Sequence, residues 1–161
     1  MNRSALQKEL RKRQPFDSLE QEAGLNLLRS ADYLQVELNR LFSEYGISSP
    51  QYNVLRILRG LGGDGAACQE IADQMITRTP DITRLVDRLE QAGLVERART
   101  TEDRRVVLVR IQPAGIELLS RLDQPLIELH KTSLAQMTYE ELTQFNSLLV
   151  KARRADMDAN S

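Results

Sequence analysis

The sequence predicts a mainly α-helical protein with one small β-hairpin. Apolar residues recur at spacings of three and four along most of the 161 residues, which is the period of a helix with one buried face. Helix start signals precede several of these segments, such as Thr138 followed three positions later by Glu141. Residues 94–99 and 106–111 instead are rich in strand-forming apolar side chains on either side of a charged centre, which is typical of two short strands.

The composition limits the classes of function. The chain has 41% hydrophobic and 28% charged residues and a net charge of −1, as in an ordinary soluble globular protein. No apolar run approaches the roughly 20 residues that span a bilayer, and no apolar signal-peptide stretch follows Met1. We therefore expect a cytoplasmic protein with no membrane contact. Cys68 is the only cysteine and His130 the only histidine, so we predict no disulfide, no metal site and no cofactor.

The N-terminal region predicts a short segment followed by a long helix. Residues 4–16 are basic and form either a short helix that ends before Pro15 or a solvated arm. The long helix begins at the capping pair Asp17 and Glu20 and stops at Gly46. Its apolar stripe consists of Leu27, Ala31, Leu34, Leu38, Leu41 and Tyr45.

Three shorter helices are predicted next. The first starts at Ser49, which is followed by a proline suited to a first turn, and runs to about Leu61. The second covers about residues 69–75 and the third about residues 79–92, starting at Thr79-Pro80. Their core-facing residues are Ile71, Ala72 and Met75 in the second helix and Ile82, Leu85, Val86 and Leu89 in the third. Because only residues 76–78 separate these two helices, they predict a helix-turn-helix, whose second helix can enter a DNA major groove.

A hairpin follows the glycine that ends the third helix. Residues 94–99 and 106–111 are rich in strand-forming side chains, and residues 100–105 form the loop between them. A helix-turn-helix followed by such a hairpin, or wing, defines a winged helix-turn-helix.

Two further helices complete the chain. One starts at Pro113 and is interrupted by Pro125, which predicts a kink, and the other starts at the capping pair Thr138 and Glu141. Their apolar stripes are Leu119, Leu122, Leu126 and Leu129, and Leu142, Phe145, Leu149 and Ala152. Because these stripes and that of the long helix lie outside the winged unit, the simplest partner for them is a second copy of the chain. We predict an N-terminal arm and dimerisation helix at 1–46, a DNA-binding domain at 47–112 and C-terminal dimerisation helices at 113–161, intertwined with 1–46.

Residues 82–115, ITRLVDRLEQAGLVERARTTEDRRVVLVRIQPAG, resemble the signature region of the MarR family of bacterial transcription regulators. The shared features are the helix-ending Gly93 followed by Leu94-Val95, the Asp-x-Arg pattern at Asp103 and Arg105, and the closing Pro-Ala-Gly. The order of elements extends the likeness over nearly the whole chain. Two departures are Met75-Ile76-Thr77, where the family commonly has an apolar-Gly-apolar turn, and Ile111-Gln112, where Leu-Thr is usual. The resemblance implies a homodimer that binds double-stranded DNA with its recognition helices in successive major grooves and its wings in the flanking minor grooves.

The start of the predicted recognition helix carries the candidate base contacts. They are the residues that remain after the core-facing ones are subtracted: Arg78, Thr79, Pro80, Asp81, Thr83 and Arg84. Arginine can bridge two acceptors of guanine, and threonine can contact a thymine methyl group or a phosphate. The alternative is a solvated face on which Arg84 pairs with Asp81 or Asp87.

The wing is locally basic in a chain that is slightly acidic. Residues 97–110 contain five arginines against two acidic residues, for a local charge of +3. A guanidinium is favoured in a narrow minor groove, and the resemblance assigns that contact to Arg105, with Arg104 beside it. Asp103 is expected to hold the loop by accepting hydrogen bonds. The alternative is that these charges only keep an exposed hairpin from pairing with another sheet.

A small aromatic or phenolic effector is expected from the resemblance alone. Tyr33, Tyr52 and His130 are candidates for lining its cavity, although their positions fit ordinary packing equally well. Cys68 has no basic neighbour in sequence and does not occupy the position of the reactive cysteine in peroxide-sensing members, so we interpret it as structural.

Two functions from different classes remain. The first is a sequence-specific transcription regulator, a ligand-responsive repressor that binds a pseudopalindromic operator as a homodimer. The alternative is a winged-helix module that binds a protein and has lost DNA binding, for which a wing without arginine would be the expected sign. An enzyme is not predicted, because the sequence has no nucleophile elbow, no phosphate-binding glycine loop and no cluster of histidine with acidic residues.

Overall fold

The computed structural model describes residues 3–77, 81–99 and 107–154. In chain order the elements are α1 (Ala5–Glu9), α2 (Leu19–Glu44), α3 (Ser49–Leu61), α4 (Cys68–Asp73), α5 (Ile82–Gln91), β1 (Val95–Arg99), β2 (Val107–Ile111), α6 (Pro113–Ser133) and α7 (Tyr139–Arg154). The prediction of a mainly helical fold with one hairpin is confirmed. The described residues up to Leu126 form one compact unit, and those from Ile127 onward form a second.

Several helix starts differ from the predicted ones by one or more residues. The N-cap of α2 is Ser18 rather than Asp17, because the Ser18 hydroxyl accepts from the backbone N–H of Gln21 at 3.2 Å. The N-cap of α3 is Ser48 rather than Ser49, and Ser48 forms a reciprocal capping box with Gln51. The recognition helix α5 begins at Ile82 instead of at Thr79-Pro80, with Asp81 as its N-cap.

The basic N-terminal segment is partly helical. Residues of α1 follow the N-cap Ser4, and the side chains of Leu6 and Gln7 are buried. The Glu9 carboxylate lies 2.9 Å from Nε of Arg29 on α2, which ties this segment to the long helix. The short helix is therefore correct and the interpretation as a solvated arm is wrong for these residues.

The core of the first unit is centred on α3. Its fully buried side chains come from α3, α4, α5, β2 and α6: Val54, Leu55, Leu58, Ile71, Val86, Leu89, Val109, Leu119 and Leu122. Phe42, near the end of α2, is also buried there although it lies outside the predicted stripe. These contacts fix α5 against α3 and leave its opposite face in solvent.

The hairpin is held to the helices by two close backbone approaches. Strands β1 and β2 are antiparallel, with Val95 opposite Ile111 and Arg99 opposite Val107. Ala66 exchanges two backbone hydrogen bonds with Val109, of 3.0 and 2.8 Å. At Gly115 a Cβ atom would lie 2.5 Å from the carbonyl oxygen of Leu94, so the last glycine of Pro-Ala-Gly allows α6 to pass against the start of the hairpin.

The predicted apolar stripes are only partly covered. In the predicted stripe of α2, Leu27 and Ala31 are exposed and Leu34, Leu38, Leu41 and Tyr45 are half-buried. Other large side chains of this helix, outside the predicted stripe, are exposed: Leu19, Leu25, Leu28, Tyr33 and Val36. In the second unit, no described side chain is fully buried, and Leu142, Phe145 and Leu149 on α7 are half-buried. The predicted capping box of α7 is confirmed, since Thr138 and Glu141 exchange hydrogen bonds of 2.8 and 3.2 Å.

Candidate nucleic-acid interface

Helix α5 has one buried and one exposed face. Ile82, Val86 and Leu89 are buried and Leu85 is half-buried, as predicted from their spacing. Thr83, Arg84 and Arg88 are exposed on the other side, and 79% of the Arg84 side chain is accessible to solvent. A short helix that is anchored by its apolar face and presents arginine on the other has the arrangement of a reading helix.

Asp81 stabilises the start of this helix. Its carboxylate accepts from the backbone N–H of Arg84 at 3.0 Å, and its second oxygen lies 3.3 Å from Nε of Arg84. The pairing of Asp81 with Arg84 that the solvated-face alternative requires is thus present. Such an exposed pair contributes at most about 1 kcal/mol, so it orients Arg84 without preventing the guanidinium from moving to another acceptor. The other pairing, Arg84 with Asp87, is replaced by a contact of Asp87 with Arg97.

Six predicted DNA-facing residues lie outside the described residues. They are Arg78, Thr79 and Pro80 before the recognition helix and Asp103, Arg104 and Arg105 in the hairpin loop. Their assignment to DNA stays a prediction.

Arg97 does not belong to the DNA-facing charge of the hairpin. Its two terminal nitrogens lie 2.5 Å from a Glu90 oxygen and 2.6 Å from an Asp87 oxygen, and only 24% of its side chain is exposed. Burial lowers the pKa of Arg97, but its hydrogen bonds to Asp87 and Glu90 outweigh that effect and leave the pKa above its usual value. Including Arg97 in the local charge of +3 was therefore wrong, because two carboxylates of α5 neutralise it.

Arg110 is partly engaged as well. Its Nε donates to the backbone carbonyl of Asp64 at 3.2 Å. Arg99 is exposed at the end of β1, next to the hairpin loop. Among the described residues of the hairpin, Arg99 is thus the one exposed arginine.

Arg88 is a candidate that sequence reasoning missed. It lies one turn after Arg84 and is exposed on the same side of α5. The spacing of four between the two arginines is a signal for a shared face, although Arg88 lies beyond the first turns that usually point at base edges.

The three candidate effector residues have different surroundings. The ring of Tyr52 on α3 stacks on Phe42 with 4.5 Å between centroids, and burial raises its pKa above the usual value. Tyr33 on α2 is 63% exposed. His130 is exposed on α6 in the second unit. A cavity of about 380 Å³ in the first unit has other lining residues, among them Tyr45, Ile47, Gln51, Leu94, Glu117 and Arg121.

Three further observations concern metal binding, membrane contact and the cysteine. Within residues 3–77, 81–99 and 107–154, no three His, Cys, Asp or Glu side chains lie together as a metal site would require. No helix in that part of the chain is both long enough and apolar enough to cross a bilayer. Cys68 is half-buried and packs against the core of the first unit.

A helix-turn-helix with an exposed arginine-bearing second helix and an attached hairpin defines a winged-helix DNA-binding protein. The family model described as MarR family matches residues 47–107. One similar protein of known crystal structure is a MarR transcription factor from Planctomyces limnophilus, whose sequence is 42% identical to this chain. The match covers 83% of this chain and 97% of that chain, and the two structures superpose with a TM-score of 0.65. The chain belongs to the MarR family.

Two further relatives bear on function. A mutant MarR from E. coli, solved complexed with operator DNA, is 25% identical, with coverage of 84% of this chain and 99% of that chain and a TM-score of 0.74. The HTH-type transcriptional repressor IacR of Pseudomonas putida is 30% identical over 112 residues, which are 70% of this chain and 66% of that protein. The protein is therefore a DNA-binding transcription regulator and not an enzyme, and the alternative of a protein-interaction module is not supported.

Proposed function

We propose that the protein is a homodimeric repressor that binds a pseudopalindromic operator. The observation that carries the proposal is the exposed face of α5, where Arg84 and Arg88 follow one another on a helix whose opposite face is buried in the core. In a twofold dimer, two such helices about 34 Å apart match successive major grooves on one side of B-DNA. The relative IacR, named as a repressor, supports the direction of regulation.

The exposed apolar side chains of α2 support the dimer. Leu28, with 67% of its surface exposed, lies on this helix together with several other exposed leucines. An apolar surface of this kind is costly in water and is typically covered by a partner. The half-buried stripe of α7 is proposed to pack in the same dimer. Light scattering at micromolar concentration is expected to give twice the mass of the 161-residue chain, and a monomer would contradict this part of the proposal.

The proposed DNA contacts divide into two sets. Arg84 and Thr83, with Arg78, Thr79 and Pro80 before the helix, face base edges and nearby phosphates, while Asp81 holds the helix start and the Arg84 side chain. Arg88 is added as a phosphate contact, because it lies a turn farther from the helix start. Arg104 and Arg105 enter the flanking minor groove, and Asp103 fixes their loop. A regulator that acts on the bacterial chromosome in this way is proposed to work in the cytoplasm.

A small aromatic or phenolic molecule is proposed to release the operator. A regulator of the same fold is described in a 2,4-dichlorophenol-bound form, and another as regulated by 6-hydroxynicotinic acid. Tyr33 and Tyr52 in the first unit are proposed to contact such a molecule, and His130 in the second unit is a separate proposed contact. A ligand that binds the DNA-free state more tightly lowers operator affinity by the ratio of its two affinities. A panel of phenols and aromatic acids that leaves operator affinity unchanged would contradict this step.

The experiment that tests DNA binding begins with selection. Genomic fragments bound by the purified protein are sequenced, and the enriched site is compared with a scrambled duplex of the same composition. We expect an inverted repeat with half-site centres one helical turn apart and much tighter binding to the selected duplex. Equal affinity for both duplexes would contradict sequence-specific regulation.

A further inference from the structure

Arg97 connects the hairpin to the recognition helix. It lies in the middle of β1, opposite Val109, and its guanidinium reaches across to α5. In addition to the contacts with Asp87 and Glu90, one terminal nitrogen lies 3.4 Å from the backbone carbonyl oxygen of Thr83. The backbone N–H of Arg97 also donates to Glu90, at 2.9 Å.

The three partners on α5 form a stripe along the helix. Thr83, Asp87 and Glu90 are spaced by four and three residues, so they lie on one face from the first turn to the last. One planar guanidinium therefore contacts α5 over two helical turns. Because its donors are arranged as a rigid fork, these contacts fix the orientation of β1 relative to α5 as well as the distance between them. Arg84 is the neighbour of Thr83 in sequence, which places the contact beside the proposed base-reading residue.

The covalent connection between the two elements is short. Residues 92–94 join α5 to β1 in a turn in which Gly93 has a φ of +70° and the backbone N–H groups of Gly93 and Leu94 donate to the carbonyls of Glu90 and Leu89. These hydrogen bonds hold the start of the hairpin, and Arg97 adds a side-chain contact farther along β1. The same strand leads directly from Arg97 through Arg99 into the hairpin loop. A change in the angle between β1 and α5 would consequently be amplified at the loop.

We propose that Arg97 is a positioning residue for operator binding, which holds the hairpin at a fixed angle to α5 so that the loop and the recognition helix reach one operator together. This inference rests on the proposed function. Arg97 itself does not touch DNA, because its guanidinium is occupied by the carboxylates of Asp87 and Glu90. Its charge is offset by theirs, so its contribution is geometric.

A charge-neutral double variant separates geometry from charge. Arg97→Gln combined with Glu90→Gln removes both ion pairs of Arg97, including the one with Asp87, and leaves the net charge of the protein unchanged. We expect operator affinity to fall about tenfold, the size of a coupling between contacting groups. Affinity for the scrambled duplex and its salt dependence are expected to stay at the wild-type values, because Arg97 itself contacts no phosphate and binding to non-operator DNA needs no fixed wing position. On the operator, the slope of log affinity against log salt is expected to fall together with the minor-groove contacts of the wing.

Arg99→Gln is the matched control, since it removes a positive charge two residues farther along the same strand. This variant is expected to weaken binding to both duplexes and to lower the salt slope. Arg97→Lys keeps the charge but lacks the fork, so it is expected to lie between wild type and the double variant. A purely structural role for Arg97 would lower the thermal midpoint without changing the ratio of operator to scrambled affinity.

The wing gives a second readout. In the double variant, protection of the flanking minor grooves from hydroxyl-radical cleavage is expected to disappear, while protection at the major-groove half-sites remains. The inference is overturned if the folded double variant keeps the wild-type ratio of operator to scrambled affinity and the wild-type footprint. If the double variant does not fold, the same result with folded Arg97→Lys overturns the inference. If wild-type protein does not prefer the selected operator, the proposed function fails instead, and the two failures are thereby distinguished.

Discussion

The hydroxyl of Tyr45 donates a hydrogen bond of 3.4 Å to the backbone carbonyl of Arg121, from the end of α2 to the middle of α6. That carbonyl would ordinarily accept from the N–H of the residue four positions later, which is Pro125 and has no N–H. The Arg121 guanidinium also lies over the Tyr45 ring, 5.5 Å from its centroid. Tyr45 thus replaces the backbone donor that the proline removes and holds the helix by its ring as well.

Tyr45→Phe is expected to lower the free energy of unfolding by about 0.5–1 kcal/mol, because the ring stays in place and one long hydrogen bond is removed. In a Pro125→Ala background, Tyr45→Phe is expected to lower the free energy of unfolding by less, because the alanine N–H can donate to the Arg121 carbonyl. Thermal or urea unfolding of the four proteins at one protein concentration measures this coupling. Equal costs of Tyr45→Phe in both backgrounds would show that the hydroxyl does not compensate for the proline.

Gly115→Ala is expected to destabilise the protein by about 1–3 kcal/mol, because the new Cβ would meet the backbone of Leu94 and neither chain can yield easily. Gly60→Ala is the matched control, since a Cβ at this helical position has no atom within 4 Å. That substitution is expected to raise stability by about 0.5–1 kcal/mol through higher helix propensity. Circular dichroism melts of both variants test the pair, and a Gly115→Ala protein as stable as Gly60→Ala would contradict the close approach.

Much of the fold was predictable from periodicity. Spacing alone assigned the buried face of α5 and the core positions Leu119 and Leu122 of α6, because a helix buries one stripe whatever its partners are. The exact caps were less predictable. Asp17 is followed by Ser18, and Ser48 is followed by Ser49. Either residue of each pair has a side chain that can cap a helix N-terminus, so the backbone conformation determines which of the two is the N-cap.

The site was less predictable than the fold. A sequence does not show which charged residues pair in the folded protein, so Arg97 was counted as part of the basic hairpin. Its acceptors, Glu90 and Asp87, lie seven and ten residues earlier, on α5. Phe42 was missed for a similar reason, since its burial depends on stacking with Tyr52 of α3 and not on the stripe of its own helix.

Burial of Tyr52 makes stability sensitive to alkaline pH. Its folded-state pKa lies above the usual value of 10.0, so the contribution of its neutral form is complete below pH 10.0 and is lost as the pH rises through the folded pKa. The unfolding free energy of wild type is therefore expected to fall more between about pH 8 and about pH 10.5 than that of Tyr52→Phe, which keeps the stacked ring. Urea unfolding at both pH values tests this, and parallel losses in the two proteins would exclude Tyr52 as the cause.

The two proposed arginine sets are expected to respond differently to DNA sequence and to salt. Arg84→Ala is expected to cost about 1–3 kcal/mol on the selected operator and to relax preference at one or two positions per half-site, with little effect on a scrambled duplex. Alanine at both Arg104 and Arg105 is expected to weaken both duplexes and to lower the salt slope by about one unit for each phosphate that the variant no longer neutralises. Fluorescence-anisotropy titrations of wild type and the two variants over a range of salt concentrations measure both effects, with circular dichroism as the control for folding. If the folded variant with alanine at Arg104 and Arg105 binds both duplexes as wild type does, these arginines are only solvent-exposed charges on the hairpin. The proposed minor-groove contact would then be wrong.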